Sequence, residues 1–167
     1  MSLSSVWQSR QDEVCGRILD ALAELPVRVV VTRSNPGTPY AGPVPPNAEV
    51  RGRTPHAGIL PLAALVIEHG GHSTTLTALA HGVPLLVLPL SPGSDQHLIG
   101  RTIAGLGLGA TLHHSAPPER IRNTVRTILG DPVIAENARR TGIRLRGQDG
   151  AAVAADRIET MIRRAVS

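Results

Sequence analysis

Three short runs set the limits on what this chain can fold into: "VRVVVT" (27–32), "ALVIE" (64–68) and "LLVLP" (85–89). Each is a largely apolar segment of strand length, the first β-branched with Arg28 inside it and the second ending at Glu68. An alternating pattern would leave one face of a sheet to water, whereas continuous runs are buried on both faces. Between and around them lie segments with helical spacing. Val14, Ile18, Leu22 and Leu25 share one face of a helix expected over 5–25, which Pro26 ends. Leu76, Leu79 and Ala80 share a face after Ser73, and Gly82 and Pro84 stop that helix. A further helix is expected over 95–104. Another opens at Ser115 and its two prolines, carries Ile121, Val125, Ile128 and Leu129, and closes at Gly130. "DPVIAENARRTGIRLRG" begins with a capping Asp and a Pro at the first helical position. A last helix carries Ala154, Ile158, Met161 and Ile162 on one side. Short strands are expected at 48–52 and 109–114, and "PHAGILPLA" reads as one or two helical turns. Strands alternating with helices predict an α/β fold, a Rossmann-like and mostly parallel sheet with helices on both faces. The Pro- and Gly-rich 33–47 reads as a surface loop.

The 167 residues fit one domain, 1–167, large enough to bury a real core. Cys15 is single, sits beside an apolar stripe and is expected in that core. A lone cysteine, no signal pattern and no apolar run of membrane-spanning length point to a cytoplasmic chain with no membrane span. The net charge of +4 raises the question of nucleic acid. Every basic residue that makes it up is Arg, the arginines are scattered, and there is no Phe, so stacking platforms for bases are missing. Nucleic acid is not expected as a partner.

The chemistry concentrates at "EHGGHSTT" (68–75). A buried strand ends, two glycines turn the chain, and a helix starts at Ser73 or Thr74. Ligands in such folds bind at the carboxyl ends of strands. A helix N-terminus offers unpaired N–H groups and partial positive charge to an anion. Gly70 and Gly71 would let a phosphate approach the backbone, Ser73 and Thr74 could add hydroxyls, and His69 an imidazole donor. The plainer reading is that Ser73 caps the helix and the glycines only turn. A metal reading fits less well: "HGGH" lacks the helical two-histidine geometry and a third ligand beside it.

A second junction, "LPLSPGSDQHL" (88–98), places Asp95 and Gln96 at the start of the next helix. Asp95 could be a simple N-cap. Near the first loop, a carboxylate and an amide together could hold sugar hydroxyls. "GLGLG" (105–109) precedes a strand and opens no helix, so it is not a dinucleotide fingerprint. No paired carboxylates suggest glycosidase chemistry.

The stretch "PHAGILPLAALVIEHGGHSTTLTALAHGVPLLVLPLSPGSDQ", with the later "GLGLGATL" and "PPERIRNTVRTILGDP", resembles the donor-binding half of the GT-B glycosyltransferases of the UDP-glycosyltransferase superfamily, in particular the bacterial natural-product type. The resemblance implies a C-terminal donor domain of an inverting enzyme that moves a sugar from a dTDP- or UDP-sugar to a small acceptor. It implies no cofactor and no metal. The acceptor site and catalytic base would lie in an N-terminal domain, so no catalytic residue is expected here. His69, Gly71, His72, Ser73 and Thr74 match the diphosphate loop; Asp95 and Gln96 match the pair that holds the donor sugar; Arg53, Thr54 and Pro55 match the segment that meets the nucleobase. Several positions depart from the pattern. Ser73 stands where Gly or Asn is usual, Arg53 replaces an aromatic platform, and Ile99 replaces a common Asn. Thr77 replaces a ribose-binding Glu, which favours a deoxyribonucleotide donor. The loop before Asp95 is about two residues longer than usual, and the first strand of the domain is either absent or cut to "SLSS". A nucleotide-sugar epimerase of the same architecture and a non-catalytic nucleotide-sugar-binding module are the alternatives.

Overall fold

The computed structural model describes residues 1–3, 10–33 and 40–165. Five strands form: β1 (Val29–Thr32), β2 (Ala48–Arg51), β3 (Val66–Glu68), β4 (Leu85–Val87) and β5 (Gly109–Thr111). All pairings are parallel, β1 with β2 and β3 with β4 with β5. The segment expected to be a reduced first strand joins the two groups. Ser2 bridges Thr32 on one side and Glu68 on the other, both in parallel. Its N–H donates to the Ile67 carbonyl, and the Met1 carbonyl accepts from the Thr32 N–H. The order across the sheet is therefore β2, β1, the 1–3 segment, β3, β4, β5. Thr32, Ser2, Glu68, Val87 and Thr111 share one rung near its carboxyl edge.

Among the described residues there are six α-helices, α1 (Gln11–Leu22), α2 (His72–Ala80), α3 (Gln96–Gly105), α4 (Pro118–Gly130), α5 (Pro132–Arg146) and α6 (Gly150–Ala165), of which α1 to α5 contribute to the cores. Side chains alternate across a strand, and the two cores divide accordingly. Ile67, Leu86 and Leu88 pack with Val14, Ile18 and Leu19 of α1 and Ile121, Val125 and Ile128 of α4. Val66, Leu85 and Val87 pack with Ala78 and Leu79 of α2, Ile103 of α3 and Ala138 of α5. Helices thus lie on both faces, with α1 on one side and α2 and α3 on the other. The connections change face between the 1–3 segment and β3, which makes that gap the switch point where such sheets bind ligands.

Most expected elements form, shorter at their ends than the sequence pattern suggested. Residues 4–9 of the first expected helix and 34–39 of the 33–47 loop lie outside the described residues. Three faces differ from expectation. In α2 the buried stripe is Thr75, Ala78 and Leu79, while Leu76 is exposed. Position 76 is rotated about 100° from Thr75, and the periodicity was matched equally well by either stripe. Ser115 lies outside α4, whose N-cap position is Pro117, and Leu129 is partly exposed. Ile158, Met161 and Ile162 of α6 are all exposed. Asp131 does cap α5, accepting from the N–H groups of Val133 at 2.8 Å and Ile134 at 3.4 Å. Cys15 is buried, and burial pushes its thiol pKa up to about 11, so it is un-ionised at neutral pH.

Candidate functional site

The site grows from the carboxyl end of β3. Glu68 is fully buried there. Its Oε2 accepts from the N–H of Gly70 at 2.8 Å and of Gly71 at 2.9 Å, and its Oε1 lies 3.0 Å from Thr75 Oγ1. The glycine pair does turn the chain, as its composition suggests: Gly70 has φ +95°. Its two N–H groups, however, point inward at this carboxylate and do not line an open cradle. The open donors sit one step further on. The first helical bond of α2 runs from the Thr75 N–H to the Gly71 carbonyl. The N–H groups of His72, Ser73 and Thr74 therefore have no partner inside the helix. Gly71 occupies the N-cap position and no side chain caps the helix. Ser73 is thus not the cap that its residue type suggested; it lies inside the first turn and is exposed.

His69 folds back over this turn. A Cβ on Gly71 would lie 2.7 Å from its Cε1, so a larger residue there would displace the ring. The side chain is 12% exposed, and Nδ1 is buried, has no hydrogen bond and sits 3.9 Å from Glu68 Oε2. Burial holds the His69 pKa below the usual imidazole range, with the Ser2 backbone pulling weakly the other way. At neutral pH the ring is uncharged.

The β4–α3 junction is pressed directly against the first loop. A Cβ at Gly70 would meet the Gln96 carbonyl oxygen at 2.8 Å and its Cα at 2.9 Å. Asp95 occupies the N-cap position of α3, yet its side chain makes no cap hydrogen bond. Its Oδ2 lies instead 3.3 Å from His72 Nδ1, an exposed pair that links the two loops. Gln96 is buried, and its Oε1 accepts from the N–H groups of Leu90 at 2.7 Å and Ser91 at 3.0 Å. That amide oxygen holds the long loop in place, and the amide nitrogen is the end left for another role.

Arg53, Thr54 and Pro55 lie between β2 and a single 3-10 turn, His56–Gly58, which packs against α2. Arg53 is exposed, and Thr54 Oγ1 donates to the Gly52 carbonyl at 3.0 Å. His56, which the sequence did not single out, brings Nε2 within 3.5 Å of Thr32 Oγ1, and burial lowers its pKa. A cavity of about 490 Å³ lies in the gap between β1 and β3, with His56 and Thr74 on its lining. Most of it is walled by apolar residues such as Leu22, Val66 and Val125, so it extends into the fold and is not the two-loop site itself. Among the described residues no three His, Cys, Asp or Glu side chains converge as metal ligands. Among them, too, no helix is long and apolar enough to cross a membrane.

A parallel sheet with paired loops at neighbouring carboxyl ends, one opening a helix with free N–H groups, is a Rossmann-like ligand-binding architecture. Solved structures match it. Spinosyn rhamnosyltransferase SpnG complexed with spinosyn aglycone superposes with a TM-score of 0.82 at 26% identity, covering 95% of this chain and 43% of that one. Calicheamicin glycosyltransferase CalG4 superposes at 0.78 and 28% identity, covering 99% of this chain and 42% of that one. The family described as erythromycin biosynthesis protein CIII-like, C-terminal domain, matches residues 16–156, and the chain belongs to it. Demethyllactenocin mycarosyltransferase of Streptomyces fradiae is 32% identical over 164 residues, 97% of this chain and 35% of that protein. Elloramycin glycosyltransferase ElmGT of Streptomyces olivaceus is 38% identical over 119 residues, 71% of this chain and 29% of that protein. The chain spans about a third of the length of these relatives.

Proposed function

We propose that this chain is the donor-binding domain of an inverting glycosyltransferase, which takes a sugar from a dTDP- or UDP-sugar and passes it to a small-molecule acceptor. The observation that carries this reading is the contact between the two loops. Gly70 abuts Gln96, and His72 pairs with Asp95 at 3.3 Å. A diphosphate on the N–H groups of His72, Ser73 and Thr74 would then place its attached sugar beside Asp95 and Gln96. Arg53, Thr54 and Pro55, beyond the His56 turn, would meet the base. Spinosyn rhamnosyltransferase SpnG, 26% identical to this chain, is also known complexed with thymidine diphosphate, which favours that nucleotide as the first probe.

Within this reading the domain supplies no base. An N-terminal acceptor-binding domain of the same protein supplies the group that deprotonates the acceptor. This domain holds the donor and stabilises the charge that develops on the departing diphosphate. Backbone N–H groups fixed before the reaction need no reorganisation when that charge appears. His69 adds a neutral imidazole beside them, and the approach of a phosphate would favour its protonated form. No metal is needed for this arrangement, and the reading includes none.

Titration of the domain with thymidine diphosphate by calorimetry tests the assignment. Binding is expected to survive EDTA. His69→Ala is expected to weaken it about tenfold, the loss of one hydrogen bond to a charged group. Equal affinity of the two proteins would remove His69 from the site, and loss of binding on chelation would return a metal to it.

A further inference from the structure

Glu68 is the one fully buried carboxylate at the site, and the proposed chemistry does not use it. Its surroundings can be read by counting protons. Oε2 takes two, from the N–H groups of Gly70 and Gly71. On the other side Thr75 Oγ1 stands 3.0 Å from Oε1 and 2.9 Å from the Gly71 carbonyl oxygen. A hydroxyl has one proton to give. With Glu68 ionised, one of these two contacts sets oxygen against oxygen with no proton between them. With Glu68 protonated, Oε1 donates to Thr75, Thr75 donates to Gly71, and every contact is satisfied.

We infer that Glu68 is held as a neutral carboxylic acid, the positioning residue that ties the glycine turn to the first turn of α2 without setting a negative charge beneath the diphosphate. This rests on the donor-binding reading of the same loop. The electrostatic surroundings agree. The nearest charged-type approach is His69 Nδ1 at 3.9 Å, and that ring is itself held neutral by burial. From α3 the backbone of Gln96 abuts the loop, from the sheet centre comes the backbone of Ser2, and from α2 Thr75. The remaining titratable groups nearby, His72 and Asp95, pair with each other on the exposed rim. Burial raises the Glu68 pKa above the ordinary value of 4.5, outweighing the glycine N–H groups that pull it down. A buried carboxyl kept neutral so that it can donate is a known physical state.

The sign of the pH effect follows. The folded chain holds this proton more tightly than the unfolded chain does. Stability from Glu68 is therefore full below the ordinary pKa and is lost as pH rises through the folded value. Diphosphate affinity falls over the same upper limb, because the charge that appears lies under the anion.

Glu68→Gln separates geometry from charge: the amide oxygen can accept both glycine N–H groups and the amide nitrogen can donate to Thr75. In infrared spectra at neutral pH, the wild type is expected to show a protonated carboxylic C=O band that Glu68→Gln lacks. Finding only the carboxylate stretch would overturn the inference. In thymidine diphosphate titrations, the two proteins are expected to bind alike at neutral pH. The wild type should become weaker by about tenfold as pH rises, one charge interaction at close range. A constant ratio across pH, with both proteins binding, would also overturn it. Ligand and histidine titrations cancel in that ratio. Glu68→Ala is expected to lose about tenfold in affinity and to be rescued by Gln at the same position; wild-type affinity in the Ala variant would remove the positioning role. If neither wild type nor Glu68→Gln binds thymidine diphosphate at any pH, the donor reading fails, and the infrared band still decides the state of Glu68.

Discussion

Gly70→Ala is expected to cost about 3 kcal/mol of stability and to abolish thymidine diphosphate binding at concentrations that saturate the wild type. Two costs add. A φ of +95° is strained for any residue with a Cβ, by roughly 1–2 kcal/mol. The new methyl group also arrives 2.8 Å from the Gln96 carbonyl oxygen and 2.9 Å from its Cα, both backbone atoms. Neither can move aside as a flexible side chain would. The smaller entropy of the unfolded Ala chain offsets roughly 1 kcal/mol at most. The strain is relieved by separating the β3–α2 and β4–α3 loops, which undoes the His72–Asp95 pairing. Thermal unfolding and calorimetry on one preparation would check both parts. A variant that is destabilised yet binds normally would show that loop contact is structural and leaves the donor site elsewhere.

The second large effect lies at the other end of β4. Gly109→Ala would place a Cβ 1.8 Å from the Leu85 carbonyl oxygen, closer than any non-bonded contact. Gly109 has φ +146° and pairs with Leu85 at the first rung between β4 and β5. The strand must shift or the rung must open. Leu85 is fully buried in the core shared by α2, α3 and α5, so opening it also exposes apolar surface. A loss of about 4 kcal/mol is expected, in the range reserved for backbone strain combined with core disruption. Because β4 leads to the Asp95–Gln96 loop, weaker donor binding should accompany it. Chemical denaturation would measure the loss. A change below about 1 kcal/mol would mean that β5 relaxes freely and contributes little to the sheet.

Much of this fold was legible in the chain. The runs at 66–68 and 85–89 are buried on both sides, as continuous runs must be in a parallel sheet. The Asp-Pro opening of α5 and the Gly-turned junction after β3 form as their residue types require. Periodicity gave less certain answers where residues one position apart were both apolar or small. Thr75 and Leu76 in α2 are such a case, and so are Ile128 and Leu129 in α4. There the burial of one and not the other is decided by which neighbour packs against the helix.

The candidate site divides along the same line. Strand, glycine pair and helix in "EHGGHSTT" predict a strand–turn–helix junction by local geometry alone, since each element is set by its own residues, and that junction forms. The adjacency of Gly70 to Gln96 and of His72 to Asp95 joins positions more than twenty residues apart and depends on β3 and β4 being neighbours. Where the turn's N–H groups point was also settled by packing. Glu68 looked like the polar end of a strand. Buried at the carboxyl end of a central strand, away from water, the carboxyl had to find its partners within the fold, and it took the two glycine N–H groups that the sequence had offered to a ligand.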